Sequence, residues 1–155
     1  MNLKVGDFVS GNGISIGEFL GIQELGIQGT DHFMKIKDSH KQAIHYLPVS
    51  SEANFRKLPS RSTITRNLGV LKDQKAIDIG EIEGSRYNYF KAKLEKNEFK
   101  SEIEVFHDLQ VLKRDKEATL GEKKLLNGLK EKLVYELGHI LSKDSKEIEG
   151  MLELQ

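Results

Sequence analysis

The sequence predicts an α+β fold: a small N-terminal antiparallel β-barrel followed by an all-helical C-terminal bundle. Up to about residue 58, β-branched and aromatic residues fill short segments separated by glycine-containing turns. From residue 85 onward, the apolar residues instead recur at helical spacing. Thr119 and Glu122 are spaced to form a capping box, and the longest apolar stripe of the chain follows them. These three observations separate a strand-rich part from a helix-rich part.

The first part, residues 1–58, is expected to form five short strands. The clearest candidates are residues 5–10, 14–23, 32–37 and 42–47. Gly17 and Gly21 inside the second segment would allow that strand to bend, and Pro48 stands where the last segment ends. So many short strands in such a short stretch are typical of a strongly bent SH3- or Tudor-type barrel.

The second part begins after a segment that is harder to assign. We interpret residues 59–84 as a linker that can hold a short helix over residues 62–71, although Gly69 and several β-branched residues weaken that helix. The Lys72–Gly84 stretch is largely polar. The linker would connect the barrel to the helical bundle.

Residues 85–141 predict three amphipathic helices, which would form a compact bundle. The second helix is expected to begin near Ser101, with Glu104 completing a capping box. The third helix would begin after Thr119 and end near residue 141. Residues 142–155 form a tail with apolar residues spaced for one more helical turn.

The amino-acid composition of the chain excludes several classes of functional site. The chain has 24 basic and 24 acidic residues, so it has no net charge to hold DNA, and any DNA contact must be local or helped by another protein. It has no cysteine, which excludes thiolate metal sites and cysteine nucleophiles. Neither a signal peptide nor a long apolar segment is recognisable, so we expect a cytoplasmic protein.

Residue patterns do not predict catalysis. The five histidines have no metal-ligand spacing, serine and aspartate residues stand in no nucleophile motif, and the glycines are too sparse for a phosphate loop. We therefore expect no catalytic residue, no metal and no cofactor. An enzyme of unknown class stays an alternative that a deep pocket with paired carboxylates or histidines would favour.

Two basic segments, residues 86–100 and 113–132, give the functional lead. Lysines on one helical face can neutralise DNA phosphates without reading sequence. Aromatic residues among them, such as Tyr87, could stack on a base or wedge into the minor groove. The simpler alternative is an ordinary solvated helix surface.

Four motifs in order make the chain resemble the CarD/CdnL family of bacterial transcription regulators. They are LKVGDFV at 3–9, HYLPV at 45–49, FKAKLEK at 90–96 and TLGEKKLL at 119–126. The resemblance extends over about residues 1–141. It implies a Tudor-like domain that binds the β1 lobe of the RNA polymerase β subunit, a module shared with transcription–repair coupling factors. It also implies a helical domain that contacts upstream promoter DNA and stabilises the open complex.

The resemblance also implies site residues. Contacts to DNA would come from Arg86, Tyr87, Lys91, Lys93, Lys96, Lys123 and Lys124. Contacts to the polymerase would come from Leu25, Lys35, Lys37 and Tyr46. Family members carry a tryptophan that wedges into the minor groove, and here Arg86 stands at its position, with Tyr87 next.

We therefore expect a CarD-like regulator that binds RNA polymerase and promoter DNA without sequence specificity. Its expected location is the cytoplasm, at the nucleoid through the polymerase, and we expect a monomer. Because the wedge tryptophan is missing, an adaptor that binds polymerase but has lost DNA binding is the main alternative.

Overall fold

The computed structural model describes residues 2–24, 26, 31–73, 75 and 77–154. The chain divides into two compact units, Met1–Leu58 and Pro59–Gln155. Within the described residues, the first unit contains a five-stranded antiparallel sheet and the second contains five α-helices. The predicted α+β class is therefore confirmed.

The strands of the first unit are β1 (Phe8–Gly11), β2 (Ile14–Glu24), β3 (His32–Asp38), β4 (Ala43–Pro48) and β5 (Phe55–Lys57). Their order in the sheet is β4-β3-β2-β1-β5. β4 and β5 are thus the two edges, and the 3-10 helix Val49–Asn54 connects them. Among the residues that the structure describes, hydrogen bonding does not close the sheet into a barrel, but this arrangement is compatible with the SH3- or Tudor-like prediction.

The bend predicted for the second strand lies at Gly21. The register between β2 and β3 shifts between Phe19 and Gly21, which marks a bulge, and Gly21 has a φ of 121°. Gly17 is required for another reason. A Cβ there would lie 2.5 Å from the Ile36 side chain, so the packing of β2 against β3 leaves no room for a larger residue. The first strand begins at Phe8 and not at residue 5, and the side chain of Val5 is 71% exposed.

The core of the sheet unit comes from alternate residues of the strands. Its buried apolar members are Val9, Ile14, Phe19, Met34, Ile36 and Phe55. Burying each of these large side chains contributes about 1.5–3 kcal/mol. The buried Asp38 carboxylate accepts the backbone N–H groups of His40 at 2.9 Å and Lys41 at 3.1 Å, which fixes the turn between β3 and β4.

The helices of the second unit are α1 (Arg61–Leu68), α2 (Arg86–Glu95), α3 (Phe99–Arg114), α4 (Leu120–Leu141) and α5 (Ser145–Leu152). α4 begins with the predicted capping box. The Thr119 hydroxyl accepts the Glu122 N–H at 3.2 Å, and the Glu122 carboxylate accepts the Thr119 N–H at 2.9 Å. None of the helices in the described part of the chain is long and apolar enough to span a membrane.

The prediction of a second capping box at Ser101 is wrong. α3 begins at Phe99, and Glu98 occupies the cap position without a side-chain cap. Phe99 is only 6% exposed and packs in the helical core, so tertiary packing extends the helix toward its N-terminus. Ser101 therefore lies inside α3, where its hydroxyl donates to the Glu98 carboxylate at 3.3 Å.

Residues 59–84, which the sequence predicts to be a linker that can hold a short helix, are partly helical. They contain α1 and the 3-10 helix Gly69–Lys72, from which Ile64 and Leu71 are buried in the core of the helical unit. The tail beyond residue 141 contributes to the same core, since α5 buries Ile148 and Leu152. The helical unit is therefore larger than the three-helix bundle predicted.

Candidate nucleic-acid and protein interfaces

Arg86, the first residue of α2, joins that helix to α4. Ser85 caps α2 by accepting the Asn88 N–H at 3.3 Å. The Arg86 guanidinium donates from Nη2 to Glu122 Oε1 at 2.7 Å and from Nε to Glu122 Oε2 at 3.2 Å. Nη2 also donates to the Glu117 carbonyl at 3.2 Å. The structure therefore gives Arg86 an internal ion pair at the position where the resemblance implies a DNA contact.

The Glu122 carboxylate is the centre of this junction. It is 1% exposed, and it accepts hydrogen bonds from Arg86 and from the Thr119 N–H. Its negative charge also lies at the N-terminus of α4, where the helix dipole favours an anion. A carboxylate this buried needs partners on all its oxygens, and Arg86 and Thr119 provide them.

Tyr87 lies over the start of α4, beside Arg86. Its ring carbons Cδ2 and Cε2 would lie 3.6 and 3.8 Å from a Cβ built on Gly121, so the ring covers the first turn of α4. The Lys91 ammonium lies 5.9 Å from the centre of the Tyr87 ring, within reach of a cation–π interaction. Lys124, three residues after Gly121, lies on the same side of α4.

These residues define an exposed surface, which we call the α2–α4 surface: Tyr87, Lys91, Leu120 and Lys124. Tyr87 is 39% exposed and Leu120 is 71% exposed. Lys91 and Lys124 are exposed and have no ion-pair partner among the described residues. The sequence analysis did not name Leu120. It could have done so, because Leu120 lies outside the apolar stripe of α4 and is therefore expected to be exposed.

The other lysines named from the sequence do not join this surface. Lys93 Nζ lies 2.7 Å from Glu104 Oε2. Burial lowers the pKa of Lys93, but the hydrogen bond and charge of Glu104 outweigh it and hold that pKa above its ordinary value. Lys96 comes two and a half helical turns after Tyr87, which places it on the opposite side of α2. Lys123 shares its face of α4 with Asn127 and Lys130, away from Tyr87.

In the sheet unit, three of the four residues that the sequence predicts to contact the polymerase lie on one face. Register pairs Lys35 with Tyr46 and Lys37 with Ile44 across β3 and β4. These four side chains point away from the core, and we call them the β3–β4 face. Tyr46 is 42% exposed and Ile44 is 48% exposed. Leu25, the fourth residue named from the sequence, lies outside the described residues.

Ile44 was missed by sequence reasoning, although a signal for it exists. In β4, exposed residues alternate with half-buried ones, and Ile44 and Tyr46 fall on the exposed side. An exposed isoleucine and tyrosine beside two lysines on a sheet edge are typical of a protein-docking surface. Across the described ranges, no group of three or more histidine, aspartate or glutamate residues could hold a metal ion.

Comparison with known protein families finds a match to the helical unit. A family model described as the CarD C-terminal domain matches residues 66–153, which are more than half of the 155 residues. A search of curated proteins found no significant match. The matched region contains α2, α3, α4 and α5, and with them the α2–α4 surface. The chain therefore belongs to the CarD family of transcription regulators.

Proposed function

We propose that the protein binds the β1 lobe of the RNA polymerase β subunit through its sheet unit and contacts upstream promoter DNA through its helical unit. It would thereby change the stability of the open promoter complex. The action is binding alone: no bond is made or broken, and no cofactor or metal is used. The expected location is the cytoplasm, at the nucleoid through the polymerase.

The single observation that supports this most strongly is the α2–α4 surface in a chain of the CarD family. It offers a half-exposed tyrosine with Lys91 beside its ring, next to the Arg86–Glu122 pair whose carboxylate is buried, and helical spacing adds Lys124 on the same side of α4. Lysines of this kind neutralise phosphates and release counterions. Tyr87 offers an aromatic face that can contact a base or a groove wall.

Polymerase binding is supported by the β3–β4 face. β4 is an edge strand, and among the described strands only β3 pairs with it, so its outer side could accept an added strand. Ile44 and Tyr46 provide apolar contact area, while Lys35 and Lys37 favour an acidic partner surface. An edge strand with alternate apolar side chains is a common docking mode for extended segments.

Tethering explains how a protein with no net charge could use few DNA contacts. Two phosphate contacts give a weak and salt-sensitive interaction on their own. Once the sheet unit is bound to polymerase, the helical unit would be held near DNA at an effective concentration on the order of millimolar. The weak contacts would then be sufficient to change the lifetime of a complex.

An adaptor that binds polymerase without DNA is the second candidate. The observation in its favour is that Arg86 and Lys93, two of the seven residues named for DNA contact, are engaged in ion pairs with Glu122 and Glu104. In an adaptor, the α2–α4 surface would be an ordinary solvated surface. Dependence of the open-complex lifetime on Lys91 and Lys124 distinguishes the two candidates.

The experiment for the docking step is a pull-down of purified RNA polymerase β subunit with the full chain. We expect Tyr46→Glu combined with Ile44→Glu to abolish binding, because both place a carboxylate on the β3–β4 face. Val5→Glu, at another exposed apolar residue of the same unit, is the matched control and should bind like the wild type. Equal retention of all three proteins would contradict this docking surface.

A further inference from the structure

A groove in the helical unit lies between the second half of α3, the first half of α4, and α5. Its volume is about 350 Å³, which is within the range of sites that hold ligands. The floor is apolar and is formed by Phe106, Leu126 and Leu152. These residues are 1%, 5% and 1% exposed, so the floor is a recessed part of the core.

One wall of the groove is basic. Lys113 at the end of α3 and Lys130 on α4 line it, and Asn127, three residues before Lys130 on α4, lines it as well. Both lysines are exposed and form no ion pair within the described part of the chain. Lys123, four residues before Asn127, extends the same stripe toward the start of α4.

The opposite wall is acidic, because Glu149 of α5 and Glu153 after it line the groove there. The Gln110 side-chain amide donates to the Leu152 carbonyl at 2.9 Å and holds the end of α5 against α3. The groove therefore has a polarity across its width, from lysines on the α3–α4 side to carboxylates on the α5 side.

We propose that this groove is a docking site for an acidic peptide segment of a protein partner, anchored by one or two apolar side chains. The apolar floor would take the anchor, and Lys113 and Lys130 would pair with acidic residues beside it. The acidic α5 wall would face the peptide N–H groups and repel a second row of carboxylates. This sets the orientation of the segment.

Duplex DNA fits this groove less well than a peptide does. A DNA backbone is covered by charged phosphates and has no side chain to fill a recessed apolar floor. Glu149 and Glu153 would also repel phosphates that approached the α5 wall. The groove residues are distinct from the α2–α4 surface, so this proposal does not depend on the proposed DNA contact.

The test is fluorescence anisotropy of the full chain with a labelled short peptide in which a leucine–phenylalanine pair is flanked by acidic residues. A matched peptide replaces the pair with serines. We expect the first peptide to bind and the second to bind about tenfold more weakly, because it lacks the anchor. Lys113→Glu with Lys130→Glu should weaken the first peptide by about tenfold.

Two further variants locate the site. Asn127→Trp places a bulky ring on the exposed rim and should also block the peptide, whereas Lys72→Glu, a charge reversal at an exposed lysine that does not line the groove, should not. Amide chemical-shift changes in the wild type should fall on Lys113, Asn127 and Lys130. The proposal is overturned if the peptide does not bind at millimolar concentration, or if the serine peptide binds equally well. It is also overturned if Lys72→Glu weakens binding as much as the two rim-lysine substitutions do, or if a short duplex DNA shifts the same amides and displaces the peptide.

Discussion

The Arg86 guanidinium lies directly against the buried carboxylate of Glu122, with Nη2 2.7 Å from Oε1. Side-chain exposure is 27% for the arginine and 1% for the glutamate. The pair links two helices and completes the capping box of α4 through Thr119. It thereby positions the Tyr87 ring over the first turn of α4, so Arg86 organises the α2–α4 surface from below.

Arg86→Met should therefore destabilise the helical unit. Removing the guanidinium leaves the Glu122 charge buried with one partner fewer, and breaking such a pair costs about 3 kcal/mol. Urea unfolding followed by circular dichroism measures the loss. Lys91→Met, an exposed lysine on the same helix, should change the free energy of unfolding by less than about 0.5 kcal/mol. Equal stability of the two variants would show that the Arg86–Glu122 pair is not structural.

The capping box at Thr119 and Glu122 was predictable because both halves lie within four residues. The Arg86–Glu122 and Lys93–Glu104 pairs were not, since each joins residues of different helices whose packing no local pattern encodes. The same reason explains the error at Ser101: its spacing to Glu104 imitates a helix start, while the burial of Phe99 places the start earlier.

In the sheet unit, the segments rich in β-branched and aromatic residues located the strands well, whereas the identity of the edge strands depended on pairing. The expected segment 14–23 corresponds to β2, and the expected segment 32–37 to β3, each within one residue. β4 is an edge strand because of the order in which the strands pair across the sheet. The local sequence pattern does not predict that order. For this reason Ile44, on the outer side of β4, was not named beside Tyr46.

DNA binding by the helical unit should depend weakly but measurably on salt. If Lys91 and Lys124 contact phosphates, the logarithm of affinity should fall with the logarithm of salt concentration with a slope of about −1.8. Lys124→Gln should make the slope shallower by about 0.9, because one phosphate contact is lost. Lys123→Gln should leave it unchanged, since Lys123 lies on another face. If both variants change the salt-dependence slope equally, Lys123 and Lys124 do not lie on different faces of α4 with respect to DNA.

Among the described glycines of the sheet unit, Gly11 should be the least tolerant of substitution. A Cβ there would lie 2.1 Å from the Asn54 carbonyl oxygen, where β1 meets β5, and its φ is 152°. Gly11→Ala should cost about 2–3 kcal/mol of unfolding free energy through this backbone clash. Gly13→Ala, with a φ of 77° but no atom within 4 Å of its Cβ, should cost about 1 kcal/mol. If urea unfolding shows that the two variants lose the same free energy of unfolding, the clash with the Asn54 carbonyl oxygen is not the cause.

The stability of the helical unit should carry a pH dependence from Asp108. Burial raises the pKa of this carboxyl, and the hydrogen bond and charge of His107 oppose the shift only in part. The folded protein then holds the proton more tightly than the unfolded chain does. The contribution of Asp108 to the free energy of unfolding is therefore greatest below its ordinary pKa and falls as the pH rises through the raised value.

Urea unfolding of the wild type and of Asp108→Asn at a series of pH values from acidic to neutral measures this effect. The stability of the wild type relative to the variant should decrease as the pH rises. Glu131→Gln, at an exposed position of α4, provides the control for loss of a negative charge. A difference that stays constant, or grows with pH, would contradict the raised pKa.

The most direct test of the account is the lifetime of open promoter complexes formed by RNA polymerase with the full chain. We predict that the wild type changes this lifetime, that Lys91→Glu with Lys124→Glu removes the change while polymerase binding persists, and that Tyr46→Glu removes both. Lys146→Glu on α5 should behave like the wild type. Lifetimes that remain at the wild-type value with the Lys91 and Lys124 variant, or a wild type that does not bind polymerase, would contradict the account.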